Sequence, residues 1–254
     1  MKTTSILLLF SFLFIFSNCK TTHNVDPVNS PNPTLKLNQI TYFTIGDSSQ
    51  TIQEDSLLYK YVSIILIDKS LFHKKQKRAV NYLIKDTTNI KKINGTITLP
   101  TKSNNVQFID RPVNEETHAL YTYLGQIKFL NVYLIGGLYW EDLDYKFISK
   151  TTGEEIQYFG DFPFISKDQK HIISVYANPY NTEADFGLFS IVKNKPVPIV
   201  NVGFKNWMPA PDSEMFWSSD GNFYAKILYS TEYWKEGNYN DNFRYIEISL
   251  LTNQ

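Results

Sequence analysis

From residue 37 onward the chain is made of short apolar runs, several alternating with polar residues, that end at polar turns. The clearest instance is Phe162-Pro163-Phe164-Ile165, then the polar Ser166-Lys167-Asp168-Gln169-Lys170, then His171-Ile172-Ile173-Ser174-Val175-Tyr176. Aromatic and β-branched residues on both sides of a tight polar turn predict a hairpin, because those side chains fit a half-buried pleated surface. The pattern returns as Met215-Phe216-Trp217, Ser218-Ser219-Asp220-Gly221 and Asn222-Phe223-Tyr224-Ala225-Lys226-Ile227-Leu228, again with Ser-x-Asp between the strands. That return points to an internal repeat.

Similar runs predict strands at residues 39–45 and 61–67 and, spaced like an antiparallel meander, at 106–109, 119–123, 132–135, 145–148, 172–177, 187–192, 224–229 and 244–250. Asn94-Gly95, between Ile93 and Thr96-Ile97-Thr98-Leu99, is a two-residue hairpin signal. One helix is predicted over residues 71–85, where Phe72, Ala79, Val80, Tyr82 and Leu83 alternate with Lys74, Lys75, Lys77 and Arg78. Its basic face reads as a solvated surface on a helix that covers a sheet edge. The expected class is all-β, mainly antiparallel, with one short helix; a β-sandwich is the alternative.

Composition narrows the partners. With 43% hydrophobic and 15% aromatic residues in 254, the chain can bury a real core, and disorder is excluded. Lys plus Arg and Asp plus Glu both number 25, so no overall charge argues for nucleic acid. Locally, residues 60–92 carry about +7 and residues 110–190 about −6.

The first residues bear on location. Met1-Lys2 is a short positive start, residues 6–16 are apolar and uncharged, and Ser17-Asn18 lead into Cys19. The apolar run is shorter than the roughly 17 to 25 residues a spanning helix needs, which makes residues 1–18 a signal peptide. Cys19 is the one cysteine of the chain, so it has no partner for an internal disulfide. Phe16-Ser17-Asn18-Cys19 resembles the lipobox of bacterial lipoproteins. The resemblance implies that Cys19 is diacylated and becomes the new N-terminus, anchoring the protein to a membrane through its N-terminal lipid without spanning it. Lys20 stands where inner-membrane lipoproteins of enteric bacteria often carry Asp, so the expected location is the cell envelope at the outer membrane. The polar, proline-rich residues 20–36 read as a flexible tether behind Cys19, and residues 37–254 as a single β-rich domain.

Within that domain, units at about 120–158, 159–200 and 213–250 share one recipe of strand, polar-aromatic loop and second strand. With Ser166-x-Asp168 and Ser218-x-Asp220-Gly221 at the turn, it resembles the Ser-Pro-Asp-Gly type β-propeller repeat, as in the propeller domain of TolB. Lys167 and Ser219 replace the proline. The resemblance implies a propeller-like set of hairpins, either completed by residues 37–118 or left as an open array, with the turn aspartates accepting hydrogen bonds from turn N–H groups. The arrangement from Val106 onward is also similar to a broad group of uncharacterised Bacteroidetes lipoproteins, which implies a location and no activity.

If the units are equivalent, three loops share one rim and present aromatics beside carboxylates. The candidate ligand-binding residues are Tyr139, Trp140, Glu141 and Asp142 in the first, Tyr180, Glu183 and Asp185 in the second, and Tyr233, Trp234, Glu236 and Asp241 in the third. Such a rim can stack sugars or peptides, so the expected function is a non-catalytic binding or assembly module with an envelope protein or glycan as partner. The alternatives are a carbohydrate-active or other hydrolase with its site on the same rim, or a purely structural envelope protein. Gly46-Asp47-Ser48 with Asp168-Gln169-Lys170-His171 looks like the Gly-Asp-Ser-Leu hydrolase pair, but no Gly-x-Asn-Asp block accompanies it and the first reads as a turn. His23, His73, His118 and His171 stand apart, so no metal or other cofactor is implied.

Overall fold

The computed structural model describes residues 36–111, 117–140 and 142–251. Cys19, the signal peptide and all of the tether but Lys36 lie outside the described residues. The first elements are β1 (Ile40–Ile45), a 3-10 turn (Asp55–Lys60), β2 (Val62–Ile67), helix α1 (Lys69–Gln76) and the short β3 (Ala79–Val80). A first sheet follows from β4 (Lys92–Ile93), β5 (Thr96–Pro100) and β6 (Asn105–Ile109). A second is the meander β7 (Ala119–Ile127), β8 (Val132–Tyr139), β9 (Leu143–Ser149) and β10 (Glu155–Phe159). The third is the meander β11 (Phe164–Ile165), β12 (His171–Asn178), β13 (Glu183–Val192) and β14 (Lys195–Phe204), to which β1 adds an outer strand beside β14. The fourth is built from β15 (Trp207–Pro209), β16 (Met215–Ser218), β17 (Phe223–Tyr229) and, after the small hairpin β18 (Trp234–Lys235) and β19 (Asn238–Tyr239), β20 (Arg244–Leu250). Here β2 closes the outer side against β20 and β3 the inner side against β16.

The sheets pack face to face in succession. Ile97 and Leu99 of the first meet Tyr123, Tyr133, Ile135 and Ile148 of the second. Val132, Leu134, Phe147 and Phe159 of the second meet Ile165, Ile172 and Phe189 of the third. Val175, Phe186, Leu188 and Val202 of the third meet Trp217, Phe223, Ile227 and Ile246 of the fourth. Strand β8 thus alternates between two cores, Tyr133 and Ile135 toward one and Val132 and Leu134 toward the other. That explains its unbroken apolar run, since both faces are covered. No sheet closes on itself, and the ends of the series are finished differently. The outer face of the first sheet carries Thr96, Thr98 and Gln107, with Gln107 Nε2 donating to Thr98 Oγ1 at 3.4 Å. The outer face of the fourth is covered by α1, whose Phe72 is fully buried against Phe216, Tyr224 and Tyr245. The architecture is all-β and antiparallel. The second sheet is drawn from residues 119–159, the third from 164–204 with β1, and the fourth from 207–250 with β2 and β3, while residues 92–109 form a shorter first one.

The helix expected over residues 71–85 is corrected. It spans Lys69–Gln76 and covers a sheet face rather than an edge. Continuing it would set Lys74 over Lys77 and Arg78 at the three- and four-residue spacings where like charges repel. Ala79 and Val80 instead pair with Ser218 and Trp217. The chain then crosses between sheets. Tyr82 donates its hydroxyl to the Lys167 carbonyl at 2.6 Å, and Ile84 forms a two-way backbone bridge with Gln126 of β7. Residues 79–84 thereby tie the inner strands of the second and fourth sheets to the first turn of the third.

The turns obey their local chemistry. Asn94 and Gly95 both take positive φ, as a two-residue hairpin turn between twisted strands requires. Asp168 accepts from the Lys170 N–H at 3.1 Å and from the Ser166 hydroxyl at 2.7 Å, and Asp220 accepts from the Asn222 N–H at 3.3 Å. Gly46-Asp47-Ser48 is a turn, closed by Ser48 N–H donating to the Ile45 carbonyl at 3.1 Å.

Candidate functional site

The three loops singled out above occupy equivalent places, each joining the second and third strands of its meander: β8 to β9, β12 to β13, and β17 to β20. In the first, the Tyr139 N–H donates to the Asp142 carbonyl at 2.8 Å, and Trp140, within the turn so closed, has 60% of its surface exposed. Tyr139 folds back, its hydroxyl 3.2 Å from Asp144, and burial together with that carboxylate pushes its phenol above the ordinary range. Glu141 lies outside the described residues.

In the second loop the Asn178 side chain accepts from the N–H groups of Tyr180 and Asn181 at 3.1 and 3.2 Å, fixing a tight turn that leaves Tyr180 69% exposed. Glu183 turns inward, where it is only 5% exposed and accepts from Thr41 and, at 3.0 Å, from Asn181. Asp185 accepts from the Tyr42 hydroxyl at 2.8 Å and from Asn178 at 3.2 Å. Burial raises its pKa above the usual carboxylate value, with the Glu183 charge adding to the shift. Strand β1 supplies Thr41 and Tyr42, and Gly203 of β14 allows them their place: a Cβ there would stand 2.5 Å from the Tyr42 ring.

The third loop is the longest. A 3-10 turn (Ser230–Glu232) leads into the β18–β19 hairpin, whose turn residues Glu236 and Gly237 both have positive φ. Tyr233 is buried with Met208 and Leu228, packed by Ala177 of β12. Trp234 and Tyr239 face each other across the hairpin, their rings stacked at 4.9 Å and about half exposed. Glu236 and Asp241 are exposed, and neither enters an ion pair among the described residues.

These loops converge on one residue that the sequence did not single out, Tyr176 near the end of β12. Its phenol is raised by burial and then by the fields of Asp142, Tyr180, Asp185 and Asp161. Tyr233, pushed up to about 12 by burial and by Tyr239, also feels Tyr176. Asp142 of the first loop, Tyr180 and Asp185 of the second and Tyr233 of the third therefore all lie close enough to Tyr176 to interact with it, and Tyr233 also packs against Ala177 beside it. Beside Tyr176 a cleft of about 500 Å³ opens between β10 and the third sheet, with Tyr42, Asp47, Glu155, Tyr158, Tyr176 and Asp185 in its wall.

Comparison with family models, with curated proteins and with solved structures gives no match. The chemistry of the site is therefore read from its own residues. Among the described residues no group of three or more His, Cys, Asp or Glu side chains could hold a metal ion, and no helix is long and apolar enough to cross a membrane. Asp168 and His171 line a different cavity, of about 400 Å³ between the two Ser-x-Asp turns, whereas Asp47 lines the cleft. The Asp-x-x-His stretch thus falls in a separate cavity from Gly46-Asp47-Ser48.

Two residues besides Tyr176 escaped the sequence reading. Tyr239 becomes a partner of Trp234 once Glu236-Gly237 is read as a two-residue hairpin turn, a signal present in the sequence. Tyr42 reaches Asp185 because β1 pairs with β14, and no local pattern announces that pairing.

Proposed function

We propose that this chain is a lipid-anchored protein of the cell envelope, held by acylated Cys19 at the outer membrane, and that it acts as a non-catalytic binding or assembly module through the rim of these three loops. The observation that carries the reading is the convergence of three equivalent loops on Tyr176 with large rings left in solvent at Trp140, Tyr180, Trp234 and Tyr239. Exposed aromatics on loops fixed by their own hydrogen bonds supply contact area at low entropic cost, which suits a protein or glycan partner.

The test is a cross-linked pull-down from intact envelope with wild type and a Trp140→Ala/Trp234→Ala variant of unchanged melting temperature. Truncating two anchoring rings is expected to lower capture at least about tenfold. Equal capture by both would overturn the rim as a binding face. The anchor is tested separately: Cys19→Ala is expected to move the protein from the membrane to the soluble fraction, and unchanged membrane retention would refute lipidation at this residue.

A hydrolase on the same rim is the second reading, favoured by Asp185 with its raised pKa at the rim end of a cleft whose wall also holds Glu155, at the other end of β10. It predicts turnover of envelope glycans that is lost in both Asp185→Asn and Glu155→Gln. Binding without turnover supports the module.

A further inference from the structure

We propose that the cleft beside Tyr176 binds an organic cation, an ammonium or guanidinium on an aliphatic stem, as a basic peptide segment presents it. The inference rests on reading this end of the molecule as a binding face and assigns it a ligand class.

The volume of about 500 Å³ is that of a small-ligand site. The wall carries three tyrosine rings, Tyr42, Tyr158 and Tyr176, and three carboxylates, Asp47, Glu155 and Asp185, with no Lys, Arg or His among the lining residues. The charge of the wall gives the sign of the ligand. Several donors in the wall are engaged internally: the Tyr42 hydroxyl donates to Asp185 at 2.8 Å, Gln157 Nε2 to the Tyr158 carbonyl at 2.7 Å, and the Ser174 hydroxyl to the Asp161 carbonyl at 2.9 Å.

The carboxylates keep accepting capacity. Asp47 and Asp185 enter no ion pair among the described residues, and Glu155 is paired with Lys146 at 3.3 Å. That ammonium, closer still to Asp144 at 2.6 Å, lies 6.0 Å from the Tyr158 ring centre, a cation–ring arrangement of the kind a bound cation would repeat at Tyr42 and Tyr176. A wall that holds three carboxylates and three ring faces, with no cationic side chain among its lining residues, matches a cationic ligand. Ammonium and guanidinium groups are cationic and only donate, and both are further drawn to tyrosine faces. An anion meets three like charges here. A neutral sugar could use the Tyr158 and Tyr176 hydroxyls and the Asn201 amide, but it gains nothing from the three carboxylates' charge.

Titration of the full chain with hexalysine, hexaarginine, hexaglutamate and cellohexaose, read by calorimetry, tests the assignment. The basic peptides are expected to bind, more weakly as salt is raised, and hexaglutamate and cellohexaose not to. Asp185→Asn, which keeps an acceptor for Tyr42, is expected to weaken hexalysine roughly tenfold, or about 1.4 kcal/mol. Asp47→Lys, at an exposed turn, is expected to weaken it comparably without touching the core. Equal binding by wild type and both variants, or preference for cellohexaose or hexaglutamate, would overturn the proposal.

The Trp140→Ala/Trp234→Ala variant separates this outcome from that of the rim. Loss of hexalysine binding in Asp185→Asn alongside tryptophan-independent capture from envelope would leave the cleft standing and the rim reading refuted. Tryptophan-dependent capture with no hexalysine binding by wild type would refute the cleft alone.

Discussion

Gly125→Ala is expected to destabilise the fold by about 4 kcal/mol, from roughly 1–3 kcal/mol of overpacking and a similar cost of backbone strain. Gly125 sits in β7 just past a register shift, where Tyr123 faces Ile135 and Gly125 faces Leu134, so Leu124 is the extra residue of a bulge. Its φ of +142° lies in a region that side chains strongly disfavour. A Cβ at this position would stand 2.3 Å from the Ile84 carbonyl oxygen and 3.0 Å from its carbon. Both obstacles are backbone, so no rotamer change relieves the contact.

Relief requires moving the segment that carries Ile84, and that segment is pinned by two hydrogen bonds to Gln126, at 2.9 and 3.0 Å, and by the Tyr82 hydroxyl. The cost should therefore appear as loosening of the link between the second and fourth sheets. Urea unfolding measures the first quantity, and hydrogen exchange at the Ile84 and Gln126 amides measures the second. A loss below about 1 kcal/mol, the scale of an ordinary exposed-strand glycine, with protection at both amides retained, would show that residues 79–84 do not tie the sheets together.

That segment also marks where reading the sequence stopped working. Strands with strong local character were legible: β20 spans the residues expected, and the Asn94-Gly95 turn and both Ser-x-Asp turns have the hydrogen bonding their residue types dictate. Ala79-Val80 and Tyr82-Leu83 looked helical because their spacing suits a helix face as well as it suits an extended strand meeting different neighbours at each residue. What decided between them was the open edge of β16 and the core between the second and third sheets, both formed by residues far along the chain.

The candidate site divides the same way. The repeat pattern put the three loops at corresponding strand connections, where Trp140, Tyr180 and Trp234 are exposed. The cleft did not follow, because Tyr42, Asp47, Glu155 and Asp185 meet only through the pairing of β1 with β14 and the approach of β10 to the third sheet. The inward turn of Glu183 is equally nonlocal, since its partner Thr41 belongs to β1.

The second large effect depends on pH. Asp161, in the link between β10 and β11, is 8% exposed, and burial raises its pKa from 3.8 to about 6 against the opposing hydrogen bond from the Phe162 N–H. No ion pair among the described residues includes it, and the groups that sense its charge are the phenols of Tyr145 and Tyr176, both raised in part by it. An acid whose pKa is higher folded than unfolded binds more protons in the native state. Its ionisation therefore opposes folding fully above about pH 6, and the penalty fades as pH falls through that value toward 3.8.

A shift of about two units corresponds to about 3 kcal/mol. Asp161→Asn, which keeps the acceptor for Phe162, is accordingly expected to be more stable than wild type by about 2–3 kcal/mol at pH 7, with the two converging by about pH 4. Other groups titrate in the same interval. Asp185, raised by burial, acts in the same sense, whereas His171, whose pKa burial lowers, loses stability as pH falls through 6.5 because the unfolded imidazole takes the proton first. Asp110, Asp168 and Asp220, held below the ordinary value by hydrogen bonds and neighbouring cations despite burial, contribute stability that is lost only at lower pH.

All of these are common to both proteins, so the difference in unfolding free energy between wild type and variant, followed by urea titration from pH 7 to pH 4, isolates Asp161. A difference that stays constant across that range would mean that the carboxyl is ionised in the native state at every pH tested. Asp161 would then be a solvated charge rather than a buried one, and the packing assigned here to the junction of the second and third sheets would be wrong.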